Sequence, residues 1–182
     1  LLNDGAYGLA EISKLVSSLK DFARLDRKNC EQINVHECID SSVTIASNHV
    51  RENNVSVTKN YSDLPTISCF PSKLNQLFLN IITNACQAIG TKGGKLTINT
   101  SKIKDEIRID FIDQGIGMDE ETQQKMFDPF FTSKEIGVGT GLGLSISYKI
   151  IEAHNGRIEV VSELGKGTTM SVILPINMNE IH

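Results

Sequence analysis

Residues 106–118 read EIRIDFIDQGIGM, and the chain changes character at Asp113. Up to that residue apolar and polar side chains alternate, the period of a half-buried β-strand. After it, glycines stand at 115 and 117. A carboxylate fixed at a strand end can accept a hydrogen bond from an exocyclic amine, and the glycines let the backbone pass close to a flat ring. In isolation the same letters also describe a tight turn capped by an aspartate.

Working outward, residues 95–101 (KLTINTS) form a second strand, joined to the first by a turn at Lys104 and Asp105. Before it, PSKLNQLFLNIITNACQAI (71–89) is a helix by period, with Pro71 in its first turn and Gly90 just past its end. Further upstream, residues 35–50 are helix-like, VSVTKNY (55–61) alternates as a strand, and LPTISCF (64–70) opens on a proline-marked turn. Downstream come a short helix, 119–127, and a loop without clear period, 128–139. The helix GLGLSISYKIIEAH (141–154) follows, stopped by Asn155 and Gly156. Strands 157–163 and 168–175 close the chain around LGKG. Helices alternating with strands joined by short turns predict an α/β two-layer sandwich, a mixed sheet with helices on one face.

The first 28 residues read as one long helix by period. Leu2, Leu9, Ile12, Val16, Leu19 and Ala23 fall on heptad a and d positions. Leu15 and Phe22 widen the stripe, which favours a multi-helix bundle over a two-stranded zipper, or else a helix packed on its own domain. The polar tract Asp26–Asn29 ends it, so the expected organisation is residues 1–30 as a bundle helix and residues 31–182 as a separate domain.

The 182 residues suit one domain with a short appendage. With 18 basic against 22 acidic residues, a net charge of −4 and no basic block, nucleic acid is not an expected partner. No apolar run is long enough to cross a membrane and no signal peptide is visible. The chain begins with leucine and reads as a piece of a longer protein, expected in the cytoplasm whether or not its parent is membrane-anchored. Cys30, Cys38, Cys69 and Cys86 form no CxxC pair and have no histidine cluster beside them, which argues against zinc and for reduced thiols.

Two further features bear on chemistry. In GVGTGLGLSISY (137–148) four glycines recur at every second position. Each costs roughly 0.5–1 kcal/mol relative to alanine in an ordered element, so they need a reason. They do not fit a Rossmann pattern, and LGKGT fails as a Walker A loop because Gly167 follows the lysine. Glycines opening a helix expose successive N–H groups to an anion; they also make a hinge. Asn80 and Asn84, four apart, share one face of their helix. Their amide oxygens are hard neutral ligands suited to a magnesium ion that already carries phosphates and waters; such a pair is also an ordinary solvated face.

Taken together, Asn80-x-x-x-Asn84-Ala, Asp113-x-Gly-x-Gly, FDPFFTSK (127–134) and Gly139-x-Gly-x-Gly-Leu, with LGKGTT before the last strand, resemble the N, G1, F and G2 boxes of sensor histidine kinases. The resemblance runs from about residue 31 to 176. It implies the Bergerat ATP-binding sandwich, shared with gyrase, heat-shock chaperone and mismatch-repair ATPases. Residues 1–28 are similar to the second helix of the dimerisation and phosphotransfer domain.

By that resemblance Asp113 receives the adenine amino group, with Thr168 supporting it through water, while Gly115, Gly117 and Met118 line the base. Asn84 holds Mg²⁺, with Asn80 beside the metal and phosphates. Residues 128–138 form an ATP lid, anchored by burial of Phe127, Phe130 or Phe131, with Lys134 approaching the phosphates. The backbone through Gly139, Thr140, Gly141, Leu142, Gly143 and Leu144 wraps the triphosphate. Gln87 stands where many members carry Lys or Arg; it can hydrogen-bond a phosphate but adds no charge.

The related ATPases place a water-activating glutamate where this chain has Asn80, an amide that cannot act as a general base. That difference points to a kinase rather than an ATPase. His36-Glu37 is the one HE pair, but it lies downstream of the bundle helix and lacks a following proline, so it is read as a surface or partly buried histidine. It also fails HExxH, since Asp40 occupies the fifth position.

The expected function is the catalytic half of a two-component kinase that presents Mg-ATP to a histidine missing from this chain, and so does not phosphorylate itself. The implied partners are ATP, the phosphoacceptor-histidine domain and a response regulator, in a homodimeric parent. A nucleotide-gated interaction module and an ATPase of the gyrase or chaperone kind are the alternatives.

Overall fold

The computed structural model describes residues 30–132 and 140–177. The bundle helix expected over residues 1–28 lies outside them, as do Lys134 and Gly139.

The two strands read first, β4 (Gly94–Ile103) and β5 (Glu106–Asp113), form the expected hairpin, with Lys104 in the left-handed region at φ 56°. They belong to a five-stranded sheet. Its order is β2 (Val55–Asn60), β4, β5, β7 (Gly167–Pro175) and β6 (Arg157–Glu163). Only β2 and β4 pair in parallel. A parallel pair needs a long crossover, and α3 (Pro71–Ile89) supplies it.

The register explains which face is covered. Ile98, Phe111 and Met170 stand opposite one another on β4, β5 and β7, and all are buried. Ile107, Ile109 and Val172 share their parity and are buried too. This face packs on α1 (Val35–Ile45), α3 and α5 (Gly143–Ala153) in one apolar cluster, while the short α4 (Glu120–Lys125) follows β5. The other face carries Arg108, which donates to Asp110 Oδ1 (2.8 Å), Glu159 Oε2 (2.9 Å) and Ser171 Oγ (2.8 Å).

Two features differ from the expectation. The helix read over 35–50 breaks at Ala46 into α1 and α2 (Ser47–Glu52). Just before the break, the Ser42 and Thr44 hydroxyls donate back to Cys38 O and Asp40 O, a local bonding pattern that competes with helix continuation. A two-stranded sheet joins β1 (Glu31–Ile33) to β3 (Ile67–Cys69); three residues are too short to show a period. His36 is half-buried, stacked on Tyr61 at 4.2 Å, with Nε2 3.1 Å from Thr100 Oγ1. Cys38, Cys69 and Cys86 are free and buried, their thiols pushed up by that burial to about 11, 12 and 11. No helix among the described residues is long and apolar enough to cross a membrane.

At the end of α5, His154 is 1% exposed. Its Nε2 accepts from the Phe70 N–H at 3.0 Å and its Nδ1 lies 2.7 Å from Ile150 O. A carbonyl can only accept, so Nδ1 carries the proton and the ring is neutral. The bond ties the C-terminus of α5 to the residue before α3. Burial holds the imidazole pKa below its ordinary value. A group depressed in this way stabilises the fold fully above the unfolded value of about 6.5 and progressively less as pH falls through it. Urea stability should therefore decline from pH 7.5 to 5.5. His154→Leu should lower stability at pH 7.5 by about 1–3 kcal/mol, the cost of an orphaned Phe70 N–H, and flatten the acid decline. An unchanged acid slope in the variant would contradict this role.

Candidate functional site

Asp113 ends β5 in the middle of the sheet and is 8% exposed. Its Oδ1 accepts from the Gly115 N–H at 2.8 Å and from the Thr168 N–H at 3.3 Å. Burial raises its carboxyl above the usual carboxylate range, and those two N–H bonds oppose the rise. The carboxylate is thus pinned between two chain segments at the edge of a cleft of about 710 Å³.

The loop after Asp113 is held down on both sides. Ile116 N donates to Ala88 O at the end of α3 (3.1 Å), and Gly165 N donates to Ile116 O (2.7 Å). Met118 N donates to Ser162 Oγ (2.8 Å). Glycine is needed at 117, where φ is +67° and a Cβ would collide with the Glu163 carbonyl oxygen. At Gly115 a Cβ would stand 2.7 Å from the Ala88 backbone, so this glycine allows the loop to lie on α3.

Across the cleft, Asn80 Nδ2 donates to Gly143 O (2.9 Å) and lies 3.3 Å from Ser147 Oγ, fixing the first turn of α5 against α3. Helix N-termini present free N–H groups and a partial positive charge to anions. Gly141 precedes that turn at φ +66°, where a Cβ would strike the Phe130 backbone. Phe130 N in turn donates to Gly141 O at 2.9 Å. Of the three phenylalanines considered as lid anchors, Phe127 packs on the core and on Tyr148, with ring centroids 5.3 Å apart. Phe131 lines the cleft, and Phe130 stays 62% exposed.

Of the residues singled out from sequence, Asn80, Asn84, Gln87, Asp113, Gly117, Met118, Thr140, Gly141, Gly143, Leu144 and Thr168 line this one cleft. Gly115 lies against Ala88 of α3 and is not among the lining residues, and Leu142 is buried in the core at 1% exposure, its N–H donating to Thr140 Oγ1 at 3.3 Å. Lys134 and Gly139 lie outside the described residues. The sequence reading missed Ser162, whose hydroxyl meets Met118 N, Gly167 O and Thr168 Oγ1. The available signal was a serine at an inward position of β6 whose inward neighbours, Ile158 and Val160, are apolar. It also missed Ile45 and His49, which line the cleft from upstream of α3.

Residues 70–178 match the family model for histidine kinase-, DNA gyrase B-, and HSP90-like ATPases. The chain is 34% identical to Sporulation kinase E of Bacillus subtilis (strain 168), an alignment covering 97% of this chain and 25% of that protein. It is 38% identical to the signal transduction histidine-protein kinase AtoS of Escherichia coli (strain K12), covering 91% of this chain and 27% of that one. The chain thus spans about a quarter of the length of these curated relatives. The crystallised catalytic domain of histidine kinase ThkA superposes with TM-score 0.73 at 28% identity, over 82% of this chain and 97% of that one. ThkA in complex with response regulator protein TrrA superposes with TM-score 0.75 at 22% identity, over 95% of this chain and 50% of that one.

Gly117 and Gly165 form a matched pair for testing the loop. Both have positive φ, but nothing lies within 4 Å of a Cβ at 165. Gly165→Ala should cost about 1–2 kcal/mol in urea denaturation, the ordinary left-handed penalty. Gly117→Ala should cost at least about 1 kcal/mol more. Equal costs would mean that the Gly117–Glu163 approach does not constrain the loop.

Proposed function

The chain belongs to the histidine kinase-, DNA gyrase B- and HSP90-like ATPase family as the ATP-binding domain of a sensor histidine kinase, and from that premise we propose that it presents Mg-ATP to a histidine supplied by another segment or chain. One observation carries this over simple hydrolysis: among the described residues lining the cleft, Asp113 is the only carboxylate, and it is bound by two backbone N–H groups. Asn80, where a water-activating acid would be needed, is an amide that holds α5 in place. With no unengaged carboxylate among the described lining residues to take a proton from water, the γ-phosphate is left for a stronger nucleophile.

In this reading Asp113 accepts the adenine amino group, while Gly117 and Met118 lie against the base and Thr168 supports the carboxylate. The backbone from Thr140 to Leu144, with the N-terminus of α5, would face the phosphates. The donor set fits magnesium: Asn84 and Asn80 bring uncharged amide groups to the cleft, suited to a hard cation whose remaining ligands are phosphate oxygens and water. Asn84 would hold the ion, which when bound neutralises phosphate charge. Transfer would then depend on positioning and charge stabilisation. By analogy with ThkA and TrrA, a response regulator would take the phosphoryl group from the histidine.

The purified chain should bind ATP, more weakly by about tenfold or more in EDTA, and turn it over negligibly. A supplied histidine-bearing helical bundle should acquire acid-labile phosphate. Asp113→Ala should weaken ATP about 10- to 100-fold, the range for losing one buried polar contact. Brisk Mg-dependent hydrolysis by the chain alone would place it with the ATPases instead.

A further inference from the structure

We infer that His49 is a nucleotide-contact residue, whose protonated imidazole supplies side-chain positive charge to the phosphate chain; the role presupposes ATP in the cleft, as proposed above. The cleft is proposed to hold a polyanion, yet no lysine or arginine is among the described residues that line it. Gln87 is neutral. Of the described lining residues, His49 is the one histidine, the residue type whose side chain changes charge near neutral pH. It stands on α2, upstream of the residues that match the family model, so the family's motifs do not account for it.

The surroundings permit the role. α2 packs along α3, whose Thr83, Asn84 and Gln87 line the same cleft and are uncharged, as is Ile45 from α1. On α2 itself, Arg51 is engaged with Asn48 Oδ1 at 2.7 Å. Glu52 Oε2 lies 3.9 Å from His49 Nδ1, which leaves Nε2 for a phosphate oxygen. The His49 side chain is 44% exposed, so replacing it removes nothing from the core.

A nearby anion favours the charged imidazole. Following the His49 ring by NMR from pH 5.5 to 8.5 should therefore show titration about one pH unit higher with magnesium and a non-hydrolysable ATP analogue than without, and no change with adenosine. By linkage, the analogue's affinity should rise about tenfold more between pH 8.5 and 5.5 in wild type than in His49→Gln, and His49→Arg should keep the tighter binding across the range. Saturation by the analogue with an unmoved His49 titration, and equal affinities for wild type and His49→Gln, would overturn the inference while leaving the nucleotide reading intact. The same shift produced by adenosine would also overturn it. An analogue that binds at no pH would overturn the nucleotide reading, and this role with it.

Discussion

One carboxylate oxygen joins the parts of this molecule that matter for its chemistry. Asp113 Oδ1 accepts from Gly115 on the loop it introduces and from Thr168 on the neighbouring strand. A carboxylate leaves water only where hydrogen bonds compensate, and here the backbone of one loop and of the neighbouring strand provides them. The same two bonds fix where the loop leaves the sheet. They also oblige Gly117 to pass against the Glu163 carbonyl and set Met118 within reach of Ser162. Burial, loop path and site geometry therefore depend on a single residue at the end of a central strand.

The second wall of the cleft depends on how α3 and α5 lie together. Polar links hold that antiparallel pair at both ends: Asn80 to Gly143 and Ser147 at one, and Phe70 to His154 at the other. Between them the apolar faces can pack well but specify register poorly, whereas a directional bond at each end does not tolerate slippage. The N-terminus of α5 is thereby held over the cleft by side chains that are also part of the helix interface. Asn80 serves both needs, since its amide nitrogen positions the helix and the residue still lines the cleft.

Much of this was legible in the chain because each feature has a local signature. The 71–89 helix has a period, a proline at its start and a glycine at its end; the 94–113 hairpin alternates on both sides of its turn. Asp113, Gly117 and Asn84 could be assigned to one cleft because the motifs that carry them, taken together, resemble a known set. What was not legible arises from tertiary contact. Glu31–Ile33 is too short for periodicity and is a strand only because Ile67–Cys69 pairs with it. The break at Ala46 has no glycine or proline to announce it. Leu142 lies among the glycines, yet its side chain enters the core. Ser162 and His49 acquire their meaning from segments far away in sequence, so no spacing rule reaches them.

Whether the Asp113 carboxylate reads an exocyclic amine is decided by comparing Mg-ATP with Mg-ITP, which carries a carbonyl oxygen in place of that amine. Equilibrium affinities of the two for the wild-type chain should differ roughly 10- to 100-fold in favour of ATP, because ITP would set an acceptor against a buried acceptor. Equal affinities would mean that Asp113 holds the loops together without recognising the base.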